Sequence, residues 1–108
     1  MVQYQLDRTF GAISDPTRRG ILERLSRGTA TISDLAAPYG MSLTGMKKHV
    51  RILEEAELVT TEKVGRARMC SLGPKRLEDA TDWIEEYRHA LEARLDRLGE
   101  FLARSKGE

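Results

Sequence analysis

Residues 41–59, MSLTGMKKHVRILEEAELV, carry the side chains whose spacing most clearly suggests chemistry. Met46, Val50 and Leu53 recur at helical spacing and make one apolar face. Leu43, Thr44, Lys47, Lys48 and Arg51 fall outside that face, Ser42 stands where it can cap the first turn, and Gly45 keeps one turn thin. A cationic helix of this size suits a polyanion. The DNA major groove admits one α-helix, whose first residues reach base edges while flanking cations meet phosphates. A solvated surface is the ordinary explanation for a charged helix face. A second basic set weighs against it here, because Lys63, Arg66 and Arg68 follow closely in the chain.

Other chemistries lack their residues. His49 and His89 are the only histidines, and no glycine-rich phosphate loop precedes a helix. No enzyme is expected. Cys70 is the lone cysteine, which excludes an intrachain disulfide and suits a reducing compartment. It reads as a small buried hydrophobe, with a redox switch as the alternative. The single His89 on an acidic stretch reads as an exposed helix residue. No cofactor is expected.

The elements that must position the basic residues can be read around them. Tyr4–Ile13 forms a short helix with Leu6, Phe10 and Ile13 on one side. Asp15-Pro16 opens a second helix, carrying Ile21, Leu22 and Leu25, that Gly28 stops. Thr31-Ile32-Ser33-Asp34 has the spacing of a capping box and starts a third helix, ended near Pro38 and Gly40. The quoted helix spans about 42–57. Strand-like runs Val59–Val64 and Ala67–Leu72 are joined across Gly65 as a hairpin over 59–72. A long helix over about 75–104 then carries Leu77, Ile84, Tyr87, Leu91, Leu95, Leu98 and Leu102 as a continuous apolar stripe. Trp83 and Tyr87 sit one turn apart on it; core and dimer packing is the expected role, with a pocket between subunits as the alternative.

The fold class is therefore mainly α with a small β-hairpin, a winged helix-turn-helix within one domain, 1–108. Charge follows the same division. The net charge is +1 overall, yet residues 42–76 hold eight Lys/Arg against four Asp/Glu, and residues 77–108 five against nine. A basic middle beside an acidic tail separates a polyanion-facing surface from the helical extension. No stretch approaches the ~20 apolar residues of a membrane span. MVQYQLDRTF puts no basic segment before an apolar one, so no secretory signal is expected. A cytoplasmic protein without a membrane partner is the expectation.

The chain resembles the ArsR-type family of winged-helix repressors along nearly its whole length. The matching residues are Asp15-Pro16-Thr17-Arg18-Arg19 with Ile21-Leu22, then Ile32-Ser33-Asp34-Leu35-Ala36 and Gly40-Met41-Ser42. They continue through His49-Val50-Arg51-Ile52-Leu53, Leu58-Val59 and Gly65-Arg66, and the tail with Trp83, Tyr87 and Arg94-Leu95-Asp96-Arg97-Leu98 looks like one branch. The resemblance implies a homodimeric repressor whose two recognition helices read a palindromic operator in double-stranded DNA. Its N- and C-terminal helices would form the interface, through Leu6, Phe10, Ile84, Tyr87, Leu91, Leu95, Leu98 and Leu102. Base contacts would come from Ser42, Leu43, Thr44, Lys47 and Lys48, with Arg51, Arg66 and Arg68 on the backbone and Lys63 beside them. His49, matched in the recognition helix, either contacts DNA or packs beside Leu53.

The chain also departs from the pattern. Many relatives have a small polar residue at Lys47 and Ala at Gly45, and usually Gly at Glu57, so the target sequence is not implied. The family's metal sensors carry a Cys-x-Cys pair where this chain has Thr31-Ile32-Ser33-Asp34-Leu35. Others use Asp-x-His ligands that the tail, with Asp79, Asp82, Glu85, Glu86, His89 and Glu92, lacks. A repressor without a metal effector is thus expected, its small-molecule effector, if any, unknown. A protein-interaction module and a metal- or redox-responsive repressor are the alternatives.

Overall fold

The computed structural model describes residues 2–107. Its helices are α1 (Val2–Ile13), α2 (Pro16–Leu25), α3 (Ile32–Ala36), α4 (Leu43–Glu55) and α5 (Pro74–Gly107); its strands are β1 (Ala30–Thr31), β2 (Val59–Val64) and β3 (Ala67–Leu72). The helix starts follow from local hydrogen bonding. The Asp15 carboxylate accepts from the Arg18 backbone N–H at 3.0 Å and caps α2, with Pro16 in its first turn. The Asp34 N–H donates to Thr31 Oγ1 at 3.1 Å while the Thr31 N–H donates to the Asp34 carboxylate at 3.2 Å, the reciprocal capping box at α3. Ser42 Oγ accepts from the Gly45 N–H at 3.0 Å and caps α4. A Cβ at Gly45 would lie 3.2 Å from both Met41 Cγ and Ser42 Oγ, so the thin turn keeps this cap uncrowded.

The wing is more than the expected hairpin. β2 and β3 pair antiparallel from Val59↔Leu72 to Val64↔Ala67, and β1 adds a third strand on the far side of β3, with Ala30↔Cys70 and Thr31↔Met69 in register. Two residues are too few for alternation to show in a sequence. They nonetheless fix the root of the wing to the start of α3. At the other end Gly65 adopts φ +63° in the turn, a left-handed conformation that glycine takes without a Cβ penalty.

Helices α2, α3 and α4 and the root of the sheet enclose the core. Ile21, Leu35, Met46, Leu53, Leu58, Val59 and Cys70 are fully buried there. Glu57, just past α4, has φ +60°. This is the left-handed position that glycine favours after a helix, and a side chain with a Cβ is strained there. The strain is held in place: the Leu58 N–H donates to Leu53 O at 2.9 Å, and the Gly73 N–H closes the far side on Leu58 O at 2.8 Å.

The long helix leaves this body. α1 packs on the first part of α5, where Phe10 meets Trp83 edge-to-face at 5.7 Å and Trp83 stacks on Tyr87 at 5.6 Å. Beyond that, α5 stands clear of its own chain and draws the molecule out to 74 Å along its longest axis. Among the described residues no helix is long and apolar enough to cross a membrane.

Candidate nucleic-acid interface

The sequence-selected cations converge on one groove. Leu43, Lys47 and Arg51 from α4 form one wall, and Lys63, Arg66 and Arg68 from the wing form the other. Thr31 and Ser33, at the start of α3, close one end. The groove has a volume of about 740 Å³ and is open to solvent. Five cationic side chains therefore surround a single concavity, built by a helix packed beside a hairpin rather than by sequence proximity.

One carboxylate stands among them. Glu54 lines the groove and accepts a hydrogen bond from Thr61 Oγ1 on β2 at 2.6 Å. The bond ties the recognition helix to the wing and therefore sets how far apart the two basic walls stand. Neither residue was singled out in the sequence. An i, i+7 pair across a helix–strand junction has no periodic signature. Arg51 is held along the helix by Glu55, with Nε 3.2 Å from Oε1, but both ends of this pair are well exposed and easily parted by a phosphate.

Ser42, Thr44 and Lys48 do not line the groove, although all three are exposed around the start of α4. Ser42 is engaged as the helix cap. Leu43 is half exposed, an apolar side chain of the kind that contacts a thymine methyl. Val64, 52% exposed at the wing tip, is an apolar neighbour of the basic residues that the sequence reading passed over.

His49 is the exception to the expected set. At about 100° per residue it lies roughly 200° around α4 from Lys47, on the side away from the groove. Its Nδ1 is 3.3 Å from Arg18 Nη1 and 3.9 Å from Asp15 Oδ2, so it faces α2 and not the basic walls. The Asp15 carboxyl is held below the usual carboxylate range, first by the Arg18 backbone N–H against an opposing desolvation, then by the Arg18 charge.

The expected interface residues divide in the same way. Leu6 is buried within its own chain and Phe10 packs on its own Trp83, so α1 supports α5 from beneath. Ile84, Tyr87, Leu91, Leu95, Leu98 and Leu102 are between 42% and 59% exposed. Phe101, at 62%, extends the same stripe and was missed.

The structure also bears on metal ligands. The stretch where thiolate sensors carry cysteines is occupied by the α3 capping box, with Thr31 and Asp34 committed to each other and Ile32 and Leu35 buried. Among the described residues no three of His, Cys, Asp and Glu are grouped to hold an ion. This donor set does not fit a metal centre within one chain. Cys70 is buried, and burial first, then the Glu54 charge, pushes its thiol up against the pull of Arg68. A thiol kept protonated in this way is a poor nucleophile.

A model of a helix-turn-helix domain matches residues 13–62, from the end of α1 through α4 into β2. The chain is 35% identical over 79 residues to the transcriptional repressor SdpR of Bacillus subtilis (strain 168), a match covering 73% of this chain and 88% of that protein. It is similar to a crystal structure of an ArsR family transcriptional regulator, with 40% identity, a TM-score of 0.79, and coverage of 83% and 93% of the two chains. The chain belongs to the ArsR family. An ArsR-like regulator from Rhodococcus sp. RHA1, 28% identical, superposes with the same TM-score of 0.79 over 92% of this chain. As an ArsR-family member the protein is a DNA-binding transcriptional regulator and not an enzyme. The winged helix-turn-helix expected from the sequence is the fold observed.

Proposed function

We propose that the protein is a homodimeric repressor that places α4 of each subunit in successive major grooves of a palindromic operator, without a metal effector. The observation that carries this reading is the groove in which Lys47 and Arg51 face Lys63, Arg66 and Arg68. Lys47 and Lys48, with Ser42, Leu43 and Thr44, contact base edges at the start of α4. Arg51, Lys63, Arg66 and Arg68 meet phosphates on either side. The whole chain, 1–108, acts as one unit in which α5 carries the second subunit.

Two features support the dimer. Along Leu91–Leu102 of α5 the large apolar side chains stand exposed among the described residues, and they repeat as a 3–4 stripe. The charges of α5 are also divided. Residues 77–92 hold six carboxylates and one arginine, whereas 93–107 hold Arg94, Arg97, Arg104 and Lys106 against Asp96 and Glu100. An antiparallel pair of α5 helices sets acidic half against basic half, and a parallel pair sets like against like.

The purified protein is to be titrated against a duplex from upstream of its own gene and a scrambled duplex of equal length, at two salt concentrations. Preference for the first by several hundredfold, with affinity falling steeply as salt rises, is the expected result. Equal, weak binding to both overturns the operator reading and leaves an interaction module built on the same fold.

A further inference from the structure

We propose that Arg18 and His49 form a clasp that fixes the angle of the recognition helix from its far side, making His49 a positioning residue for DNA reading rather than a contact to DNA. The inference rests on the operator reading above and names what holds the reading helix in place. Arg18 uses all three guanidinium nitrogens. Nε donates to Ala12 O at 2.6 Å and Nη2 to Gly11 O at 3.3 Å, both carbonyls at the C-terminal end of α1. Nη1 reaches His49 Nδ1, in the middle of α4, at 3.3 Å. The Arg18 backbone N–H meanwhile caps α2 through Asp15.

One side chain thus joins three helices. The guanidinium satisfies the Ala12 carbonyl at the end of α1, shares that of Gly11 with Ser14, and places a positive charge where that helix end is negative. Because guanidinium nitrogens only donate, His49 Nδ1 is the acceptor and the imidazole hydrogen sits on Nε2. Asp15 Oδ2, 3.9 Å from the same Nδ1, only accepts when ionised, so it cannot pair with Nδ1 while the imidazole hydrogen is on Nε2; the Arg18 bond selects that tautomer over the one that would donate to Asp15. The bond is therefore specific in chemistry as well as in place.

The position of the clasp gives it a consequence. α1 packs on α5, whose outer face is the apolar stripe, and α4 carries the basic groove. Arg18–His49 is a side-chain hydrogen bond that links α4 to the end of α1 through one guanidinium. With it, the tilt of α4 is referred to the element that meets the second subunit. Without it, Met46, Val50 and Leu53 still bury α4, but apolar packing is non-directional and leaves the rotation about those contacts less restrained.

The test uses the full chain with His49→Asn, His49→Leu and Arg18→Lys. Asn keeps an acceptor oxygen near the Nδ1 position, Leu keeps bulk without an acceptor, and Lys keeps the charge but cannot reach three acceptors in one plane. Operator affinity is to be measured on the duplex described above, with dimerisation by sedimentation and amide exchange in the absence of DNA. His49→Leu and Arg18→Lys are expected to weaken operator binding about tenfold. They should do so with unchanged dimerisation and with faster exchange at the end of α1 and in α4, while His49→Asn stays within a few-fold of the parent. His49→Leu binding like the parent overturns the clasp, as does exchange that does not change in either variant. His49→Asn as weak as His49→Leu also overturns it, since the ring itself is then what matters. A parent that fails to prefer its duplex defeats the operator reading, and the exchange data then decide the clasp independently.

Discussion

The groove between α4 and the wing and the stripe along distal α5 are both left open by the chain's own fold, yet they are built from opposite materials. The groove gathers five cations from α4, the two strands of the wing and the turn between them, and tolerates one carboxylate. The stripe places Leu91, Leu95, Leu98, Phe101 and Leu102 on one helix, each 42% to 62% exposed. A cationic concavity loses little by facing water until a polyanion displaces its counterions. An apolar stripe is unfavourable in water at every moment until it is covered. One surface is therefore made for intermittent contact and the other for a lasting one.

Substitutions should break that contrast at its strong end first. Leu91→Glu combined with Leu98→Glu places charges in the stripe and should give a monomer in sedimentation. Operator affinity should then fall on the order of 100-fold, because two linked half-sites become two independent ones. A double variant that stays dimeric would place the interface elsewhere. Within the groove, Lys47→Ala should lower discrimination between operator and scramble about tenfold, as expected of a base contact. Arg66→Ala should weaken both duplexes alike and reduce the salt slope by about one, as expected of a phosphate contact. Should the two variants exchange behaviours, the division of the groove into reading helix and clamping wing is reversed.

Smaller effects sharpen the same picture. Glu54→Gln removes the one carboxylate lining the groove and leaves an acceptor for Thr61. Binding to any duplex should strengthen about two- to threefold at low salt and converge on the parent as salt rises. A weaker variant would mean that the ionised bond to Thr61 matters more than the repulsion of phosphate. Glu57→Gly relieves a residue at φ +60° at some cost in unfolded-state entropy, for a net gain of about 0.5 kcal/mol. A melting temperature a few degrees higher, with unchanged operator affinity, is the expected result. No gain would show that the contacts Glu57 makes offset its backbone strain.

Much of this organisation could be read from the residues. Asp15-Pro16, Thr31 with Asp34, and Ser42 announce their helices because capping is a bond between neighbours in the chain. The wing's strands at 59–64 and 67–72 and the spacing of Met46, Val50 and Leu53 were equally plain, since periodicity reports which face is buried. What stayed hidden depends on distance along the chain or on brevity. Ala30–Thr31 is too short for a pattern, and Arg18 and His49 are 31 residues apart. Matching the family's recognition helix placed His49 on the right element, but only geometry shows that it faces α2. Leu6 and Phe10 are apolar at the right spacing for an interface; a sequence does not distinguish a side chain that covers its own α5 from one that covers another's.

The length of α5 has a further consequence. Its 34 residues span about 50 Å at 1.5 Å per residue, and the large apolar side chains of the distal half are exposed among the described residues. Most of the stability of an amphipathic helix in a protein comes from packing of its apolar face rather than from propensity. In the proposed dimer the last turns draw their stability from the second chain, and at low abundance a newly made monomer would offer that segment to proteases. For such a dimer, well below its dissociation constant, the population able to act would grow with the square of the amount synthesised rather than in proportion to it. A cell making little of the protein keeps almost none in working form, and a modest rise in synthesis is enough to change that.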